Sequence, residues 1–380
     1  MPFHAQLHLT PFCVGLLTSL VFGISTPGLR ADGPAPAPYR QWGEEVLASM
    51  DKDFWLPTRH LYAEKAHLHQ PAAPPVTFMW SAGVALSALN TAARLDPARY
   101  GERQREFIDA LDVYWTNVNH IGGYDVLPAP KPNDRFYDDN AWMVLTMADA
   151  YEVTRRPRDL ARAEATYRFV LSGEDDQLGG GLYWREPKRT SKNTCTNAPA
   201  IVGALRLHQL TGQPAYLADA LRLYRWTCEH LQGKDGLFAD NIKLAGQVLD
   251  ERRYSYNSGL MIRAASLLHK ATGEADYLAN AQRIAHAAEA RWVAGDTGAL
   301  RGEGRFAHLL LEGFLALHEV DHDPRWLELQ RRALLFLHDK VRDPEGHYGG
   351  QWDRAQAEPR DTVPLLDQAS AARAYWAAAH

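Results

Sequence analysis

Thr211-Gly-Gln-Pro-Ala-Tyr-Leu217 recurs about 60 residues later as Thr272-Gly-Glu-Ala-Asp-Tyr-Leu278. Each copy lies between two stretches whose apolar residues recur at intervals of three and four, the spacing of an amphipathic helix. Weaker versions of the turn occupy the same phase at 95–100, 156–160 and 322–326. A repeat of this length, with two helical stretches per unit, predicts a stack of helix pairs.

The repeat predicts twelve helices in six pairs. We place them at 41–54, 80–94, 100–118, 139–154, 157–172, 196–210, 214–231, 256–271, 274–292, 305–319, 324–340 and 365–378. Near the start of one helix in each pair, a polar or aromatic residue recurs at about the length of the repeat. These residues are Trp80, Asn140, Asn197, Asn257, His308 and Gln368. No pair has the polar outer face of a solenoid cap, so we expect a closed ring. The predicted fold is an all-α (α/α)6 toroid, a barrel of six helical hairpins with the small-residue helices inside.

The predicted connections are unequal in length. Those from inner to outer helices are the short turns, whereas the outer-to-inner ones are long, at 119–138, 173–195, 232–255, 293–304 and 341–364. Four of the long loops carry glycine adjacent to an aromatic residue or one residue away from it, at 122–124, 179–184, 236–238 and 348–352. Long loops gathered on one face usually carry function. We therefore expect a substrate cleft there, although aromatic plugs that seal the barrel end would leave the same pattern.

Composition and the N-terminus restrict the class of protein. The 380 residues carry a net charge of −5, which lacks the basic footprint of a nucleic-acid-binding protein. The apolar stretch 12–24 is too short to span a bilayer and lies where a signal-peptide core belongs. We expect a signal peptide at 1–31, a linker at 32–40 and a catalytic domain at 41–380. The protein would be secreted or periplasmic, a monomer, and free of the membrane after signal cleavage.

The three cysteines do not indicate a metal site. Cys13 lies in the predicted signal peptide, and Cys195 and Cys228 alone cannot form a cysteine-type zinc site. The sequence contains no His-Glu-x-x-His motif, so we expect no metal and no other cofactor. The helix order brings Cys195 and Cys228 to the same rim of the ring. A disulfide between them is one possibility in an exported protein.

The sharpest chemical feature is Arg135-Phe-Tyr-Asp138-Asp139-Asn140-Ala-Trp142, where the second inner helix starts. Neighbouring carboxylates on one helical turn can lie about 5–6 Å apart, the range of a retaining glycosidase pair. Two such groups resist ionising together, which leaves one as an acid and the other as an anion. Aspartate is also favoured at helix starts for capping alone, so the pair by itself allows both interpretations.

The motif Tyr-Asp-Asp-Asn-Ala-Trp resembles glycoside hydrolase family 76, the α-1,6-mannanases. The similarity continues through 179–184, Lys192-Asn-Thr-Cys-Thr-Asn197, the two Thr-Gly turns and Tyr254-Ser-Tyr-Asn-Ser-Gly259, and covers about 75–350. The resemblance implies a retaining glycoside hydrolase that acts within α-1,6-linked mannan. Asp138 would then be the nucleophile and Asp139 the general acid/base.

The same resemblance extends to substrate binding. Amides and phenols could bind sugar hydroxyls and aromatic rings could stack on sugars at Trp80, Tyr137, Asn140, Trp142, Tyr183, Trp184, Asn193, Asn197, Tyr256 and Asn257. Each asparagine could equally cap a helix, and each aromatic residue could belong to the core. The chain departs from the family at Gly302-Glu-Gly-Arg-Phe306. That side of the cleft could therefore bind a different sugar or linkage.

Two other functions fit the same architecture. A sugar 2-epimerase would need inward histidines as acid and base, and His208 and His269 occupy one phase of the repeat. That phase lies at the far ends of the inner helices, so we interpret both histidines as structural. A glycan-binding protein with an inert aspartate pair is the other alternative, and substitution of Asp138 and Asp139 separates it from an enzyme.

Overall fold

Two concentric rings of helices make up the described part of the chain from Pro38 onward. The structure, a computed structural model, describes Met1 and residues 38–69 and 75–379. Within these residues the helices are α1 (Tyr39–Asp53), α2 (Met79–Leu95), α3 (Pro97–Ala110), α4 (Tyr137–Thr154), α5 (Pro157–Leu171), α6 (Thr194–Thr211), α7 (Pro214–Leu231), α8 (Ser255–Thr272), α9 (Ala275–Trp292), α10 (Gly304–Asp321), α11 (Pro324–Phe336) and α12 (Leu365–Ala377). The predicted signal peptide and most of the predicted linker lie outside the described residues, and α1 begins at Tyr39.

The even-numbered helices form the inner ring. Each contacts the next one along the chain, and α12 contacts α2, so the ring closes. The odd-numbered helices pack outside, α3 on α2 and so on around the ring, with α1 on α12. This arrangement confirms the predicted (α/α)6 toroid. Among the described residues no helix is both long and apolar enough to cross a membrane.

Small residues let the inner helices approach each other. A Cβ added at Gly259 of α8 would lie 2.5 Å from the carbonyl oxygen of Leu309 on α10. A Cβ at Gly313 of α10 would in turn overlap the backbone of Gly259. Because the two backbones touch, only glycine fits at these positions, and the small-residue inner helices predicted from sequence follow from this crowding.

The repeated Thr-Gly turn ends inner helices with one left-handed residue. Gly212 and Gly273 follow α6 and α8 with φ of 70° and 74°, a conformation that glycine adopts without steric cost. The same position after α4 and α10 is occupied by Arg155 and His322, with φ of 54° and 57°. A left-handed residue therefore ends these four inner helices, even where that residue is not glycine.

Two predicted outer helices are shorter than expected. The helix predicted at 100–118 ends at Ala110 because Trp115–Val118 forms β4, which pairs antiparallel with β5 (Ile121–Tyr124). Aromatic and β-branched residues such as Trp115 and Val118 suit a strand better than a helix. The helix predicted at 324–340 ends at Phe336 and continues as a π-helical turn to Val341.

The described long loops contain all the strands. The remaining ones are β1 (Trp55–Leu56), β2 (Leu61–Tyr62), β3 (Lys65–His67), β6 (Ser191–Asn193), β7 (Ala239–Lys243), β8 (Val248–Arg253) and β9 (Thr362–Pro364). β1 pairs with β2 and β3 with β9, while β6, β7 and β8 form an antiparallel three-stranded sheet. That sheet stands at the end of the ring where inner helices begin.

An amide at the start of an inner helix ties each of three long loops to the ring. Asn140 bonds both the N–H and the C=O of Tyr124, at 2.8 and 2.9 Å. Asn197 bonds Leu182 in the same way, at 2.9 and 3.2 Å, and Gln368 bonds Tyr348, at 3.0 and 2.7 Å. At these three positions the recurring polar residue and the glycine-aromatic loop are therefore the two halves of one structural clamp.

We expect Asn197→Ala to destabilise the protein by about 1–3 kcal/mol, because the buried N–H and C=O of Leu182 would lose their partners. Urea unfolding measures the loss. Gln209→Ala is the matched control on the same helix, since Gln209 is exposed and its change should stay within about 0.5 kcal/mol. Equal destabilisation by both variants would refute the clamp.

Candidate active site

Asp138 and Asp139 lie in the first turn of α4, on the face that carries the long loops. The N-cap of α4 is Phe136, which makes no side-chain capping bond. The free N–H groups and dipole of a helix start favour negative charge nearby. This position can therefore stabilise one carboxylate, and neither aspartate is the N-cap residue of α4.

Both carboxylates line a cleft of about 660 Å³. The other lining residues come from the helix starts and long loops around α2, α4, α6, α8 and α10: Trp80, Val126, Phe136, Trp142, Trp184, Thr190, Ser191, Asn193, Cys195, Asp240, Asn241, Lys243, Ala245, Arg252, Tyr254, Tyr256, Glu303, Arg305 and Phe306. Its volume is that of a site for a small molecule or for several sugar units. The structure thus places the aspartate pair at an accessible cleft.

The two oxygens of Asp138 have different surroundings. Oδ2 accepts a hydrogen bond from Trp184 Nε1 at 2.8 Å and a weaker one from Cys195 Sγ at 3.6 Å. Oδ1 is buried and has no hydrogen-bond partner among the described residues. Burial raises the pKa of Asp138 to about 6, while the bonds from Trp184 and Cys195 oppose the rise.

Asp139 is the more acid-like member of the pair. Burial, and then the negative charges of Asp138 and Asp134, raise the pKa of Asp139 well above its ordinary value. The donors at Oδ2 favour the charge on Asp138, so the first proton lost belongs to Asp138. Near neutral pH the site therefore holds one anion and one carboxylic acid, the combination that acid-assisted nucleophilic substitution requires.

Aromatic rings form two walls of the cleft. On one side Trp184 is 40% exposed and meets Phe136 edge-on at 5.1 Å. On the other side Phe306 stacks on Tyr256 at 4.2 Å and on Trp80 at 5.6 Å. Exposed ring faces can pack against the apolar faces of sugars. Of the aromatic candidates, Trp80, Trp142, Trp184 and Tyr256 line the cleft.

A polar rim closes the cleft along β6, β7 and β8. Asn193 reaches the cleft from β6, and its Oδ1 accepts a bond from Ser191 at 2.7 Å. Asp240 on β7 accepts bonds from Asn241 and from Arg252 on β8, both at 3.1 Å. Sequence reasoning missed this sheet, although the β-branched residues at 242 and 248 could have signalled strands.

Two aromatic candidates lie behind the cleft. Tyr137 is buried, stacks on Phe169 at 4.9 Å, and its hydroxyl accepts a bond from Arg189. Tyr183 is also buried and donates to Asp175 at 2.8 Å. Adjacent residues in a helix or strand point in different directions. Tyr137 and Tyr183 are therefore buried away from the cleft, whereas their neighbours Asp138 and Trp184 line it.

Three asparagine candidates likewise do not line the cleft. Asn140 and Asn197 are committed to the loop clamps described above. Asn257 is fully buried on α8, and neither side-chain polar atom has a partner among the described residues. Asn193 is therefore the asparagine candidate that the structure brings to the carboxylate pair.

The histidines considered for epimerase chemistry hold turns on the opposite face. His208 Nδ1 lies 2.9 Å from the carbonyl oxygen of Gln213, and His269 Nδ1 lies 2.9 Å from that of Glu274. Both side chains pin the short turn that follows their own inner helix. This placement supports the structural interpretation made from the sequence.

The structure also bears on the two cysteines and on a possible metal site. Cys195 and Cys228 are both free, so the possible disulfide is not formed. Cys195 lies beside Asp138, whereas Cys228 on α7 contacts Asn280 of α9. Over the part of the chain that the structure describes, no group of three or more histidine, cysteine or acidic side chains could hold a metal ion.

Comparison with known proteins gives concordant matches. The model of glycosyl hydrolase family 76 matches residues 46–303. A GH76 alpha-mannanase of Bacteroides thetaiotaomicron shares the fold with a TM-score of 0.85 and 31% identity, over 91% of this chain and 96% of that one.

Two curated fungal proteins match shorter segments. The meiotically up-regulated gene 191 protein of Schizosaccharomyces pombe is 28% identical over 51% of this chain and 46% of its own length. The mannan endo-1,6-alpha-mannosidase DCW1 of Candida albicans is 28% identical over 39% of this chain and 36% of its own length. The chain thus spans less than half the length of these relatives.

Proposed function

Because the chain belongs to glycosyl hydrolase family 76, we propose that it is a retaining glycoside hydrolase that cleaves α-1,6-linked mannan at internal bonds. The observation that carries the proposal is the asymmetric carboxylate pair at the floor of the aromatic cleft. Asp138 has two hydrogen-bond donors on Oδ2 and the lower pKa of the pair, and Asp139 has the higher. An anion beside an acid is the equipment for cleavage through a covalent intermediate.

In the first step, Asp138 attacks the anomeric carbon of the bound mannosyl unit. As the new carbon–oxygen bond to Asp138 forms, the glycosidic bond to the leaving sugar breaks. Asp139 donates its proton to the leaving oxygen, which departs as a neutral hydroxyl. Asp139 is then anionic and Asp138 is esterified, so the two carboxyl groups no longer repel each other.

In the second step, Asp139 acts as a base. It takes a proton from a water molecule while the water oxygen attacks the anomeric carbon and displaces Asp138. Two inversions give a product with the starting α configuration. Asp138 leaves as a carboxylate and Asp139 is protonated again, which returns the pair to its initial state.

The substrate class rests on the relatives and on the cleft. The names of two similar proteins specify alpha-mannan, and one specifies the 1,6 linkage. Facing aromatic walls with a polar rim suit a chain of sugars better than a charged or wholly apolar ligand. The signal-like segment 12–24 favours a secreted or periplasmic protein, and such a polysaccharide would be met outside the cytoplasm.

We expect a bell-shaped pH profile of kcat/KM. Its acidic limb should fall near pH 6, because protonation of Asp138 removes the nucleophile. Its alkaline limb should follow ionisation of Asp139, whose pKa is raised well above the ordinary range. Initial rates on a soluble mannan oligosaccharide across a buffer series measure both limbs. A profile that stays flat below pH 6 would contradict the assignment of roles.

Product sizing tests the substrate and the mode of action together. Purified protein should convert linear α-1,6-mannan into a ladder of intermediate oligosaccharides early in the reaction, as cleavage at internal bonds requires. Linear α-1,2-mannan and α-1,4-glucan serve as controls and should remain intact. Release of mannose alone from the start, or no release from α-1,6-mannan, would contradict the proposal.

A further inference from the structure

The geometry points to Cys195 as a positioning residue that, together with Trp184, holds the carboxylate of Asp138 by hydrogen bonds to Oδ2. This inference rests on the proposed function and assigns a task to a side chain that the proposed reaction does not otherwise use. Cys195 is 5% exposed, lines the cleft, and carries its thiol 3.6 Å from Oδ2.

The repeat explains why these two side chains meet. Asp138 lies two residues before Asn140, and Cys195 lies two residues before Asn197, so both occupy the same position on neighbouring inner helices. α4 and α6 pack against each other, and the two clamps hold their first turns in equivalent places. The thiol therefore faces the carboxylate because of the six-fold architecture.

Two side-chain donors act on the same oxygen of Asp138. Trp184 Nε1 and Cys195 Sγ bond Oδ2, at 2.8 and 3.6 Å. Hydrogen bonds to the charged form of a carboxylate favour that form. The two donors therefore hold Asp138 as the anion, in one orientation, for attack on the anomeric carbon.

The thiol of Cys195 acts as a hydrogen-bond donor to Asp138 in this place. Burial, the charge of Asp138 and the charge of Asp240 raise the pKa of Cys195 well above its ordinary value, so the sulfur stays protonated. The titratable groups that face Asp138 are Asp139 on α4, Cys195 on α6 and Tyr256 on α8, with Asp240 on β7 beyond the thiol. Among these, the thiol of Cys195 hydrogen-bonds Oδ2 directly.

Substitution of Cys195 tests the assignment. Cys195→Ala should move the acidic limb of the kcat/KM profile upward by about half to one pH unit and lower kcat about 3–10-fold with KM nearly unchanged. Cys195→Ser keeps a donor and should restore most of both quantities. Cys228→Ala is the matched control, since that thiol lies away from the cleft, and its profile should equal that of the wild type. Thermal unfolding checks that all variants fold.

A second measurement does not depend on activity. Asp138→Asn removes a negative charge beside the thiol and should speed the reaction of Cys195 with iodoacetamide several-fold at about pH 8, as followed by peptide mass spectrometry. Cys228 in the same sample is the internal control, and its rate should not change. An unchanged rate at Cys195 would overturn the contact on which the inference depends.

The possible failures are distinguishable. An Asp138→Asn variant that keeps its activity overturns the proposed function and the role of Cys195 together. An inactive Asp138→Asn variant, combined with a Cys195→Ala profile that equals that of the wild type, overturns the role of Cys195 alone. Cys195→Ser as impaired as Cys195→Ala overturns the need for a donor at this position.

Discussion

Asp138→Asn and Asp139→Asn should each lower kcat on α-1,6-mannan by a factor on the order of 10⁴. The first variant loses the nucleophile, and the second loses the proton donor and the base. Binding of mannan oligosaccharides should survive in both, because the aromatic walls and the polar rim are untouched. Initial rates measure the loss of turnover, and isothermal titration calorimetry measures the binding that remains.

The control for this pair is Asp176→Asn. Asp176 also belongs to an acidic pair in the sequence, but it is exposed in a loop and does not line the cleft. Its activity should equal that of the wild type. Turnover retained in both active-site variants would leave a glycan-binding protein with an inert aspartate pair as the better interpretation of the same structure.

Glu312→Gln should destabilise the protein by about 3–5 kcal/mol. Glu312 is 8% exposed on α10 and accepts bonds from Arg373 of α12 at 2.6 and 3.1 Å and from Arg263 of α8 at 3.1 Å. A neutral amide would leave two largely buried guanidinium groups without their counter-charge. Three inner helices meet at this carboxylate, so the loss should affect the whole ring.

The destabilisation caused by Glu312→Gln should depend on pH. Burial alone would raise the pKa of Glu312, but Arg373 and Arg263 hold it at about 2, below its ordinary value of 4.5. The ion-pair contribution is therefore complete above about pH 4.5 and is lost as the pH falls towards 2. The difference in unfolding free energy between wild type and variant should be large at neutral pH and shrink on acidification.

A surface pair provides the matched control. Glu328 and Arg331 form an exposed ion pair on α11, with each side chain 51% exposed. Glu328→Gln should change the unfolding free energy by less than about 0.5 kcal/mol. Urea unfolding of both variants makes the comparison, and similar values for Glu312→Gln and Glu328→Gln would show that the buried network does not stabilise the ring.

The architecture could be predicted because local signals agree with the global fold. The Thr-Gly turns, the three-and-four spacing of apolar residues and the small residues near the axis all repeat with the same period, and every predicted helix is present. The predicted boundaries failed where tertiary pairing overrode local pattern, as at Trp115–Val118, which pairs with β5. A strand that depends on its partner carries a weaker signal in one sequence than a helix does.

The site was only partly predictable for a related reason. Repeat position and the family resemblance pointed to Asp138, Asp139, Trp80, Trp142 and Tyr256, and these residues line the cleft because inner-helix starts face it. The same argument also pointed to Asn140 and Asn197, but both amides bond backbone groups instead of lining the cleft. An amide near a helix start can bind either a sugar or the backbone. Residues on β7 and β8, such as Asp240 and Arg252, were missed because their sheet forms from distant loops.

Time-resolved proton NMR of the first-formed product tests the central claim most directly. If Asp138 forms a covalent intermediate that water then displaces, the new reducing end must appear first as the α anomer and only later equilibrate with the β anomer. Initial appearance of the β anomer would mean direct attack by water, and it would contradict the roles assigned to Asp138 and Asp139.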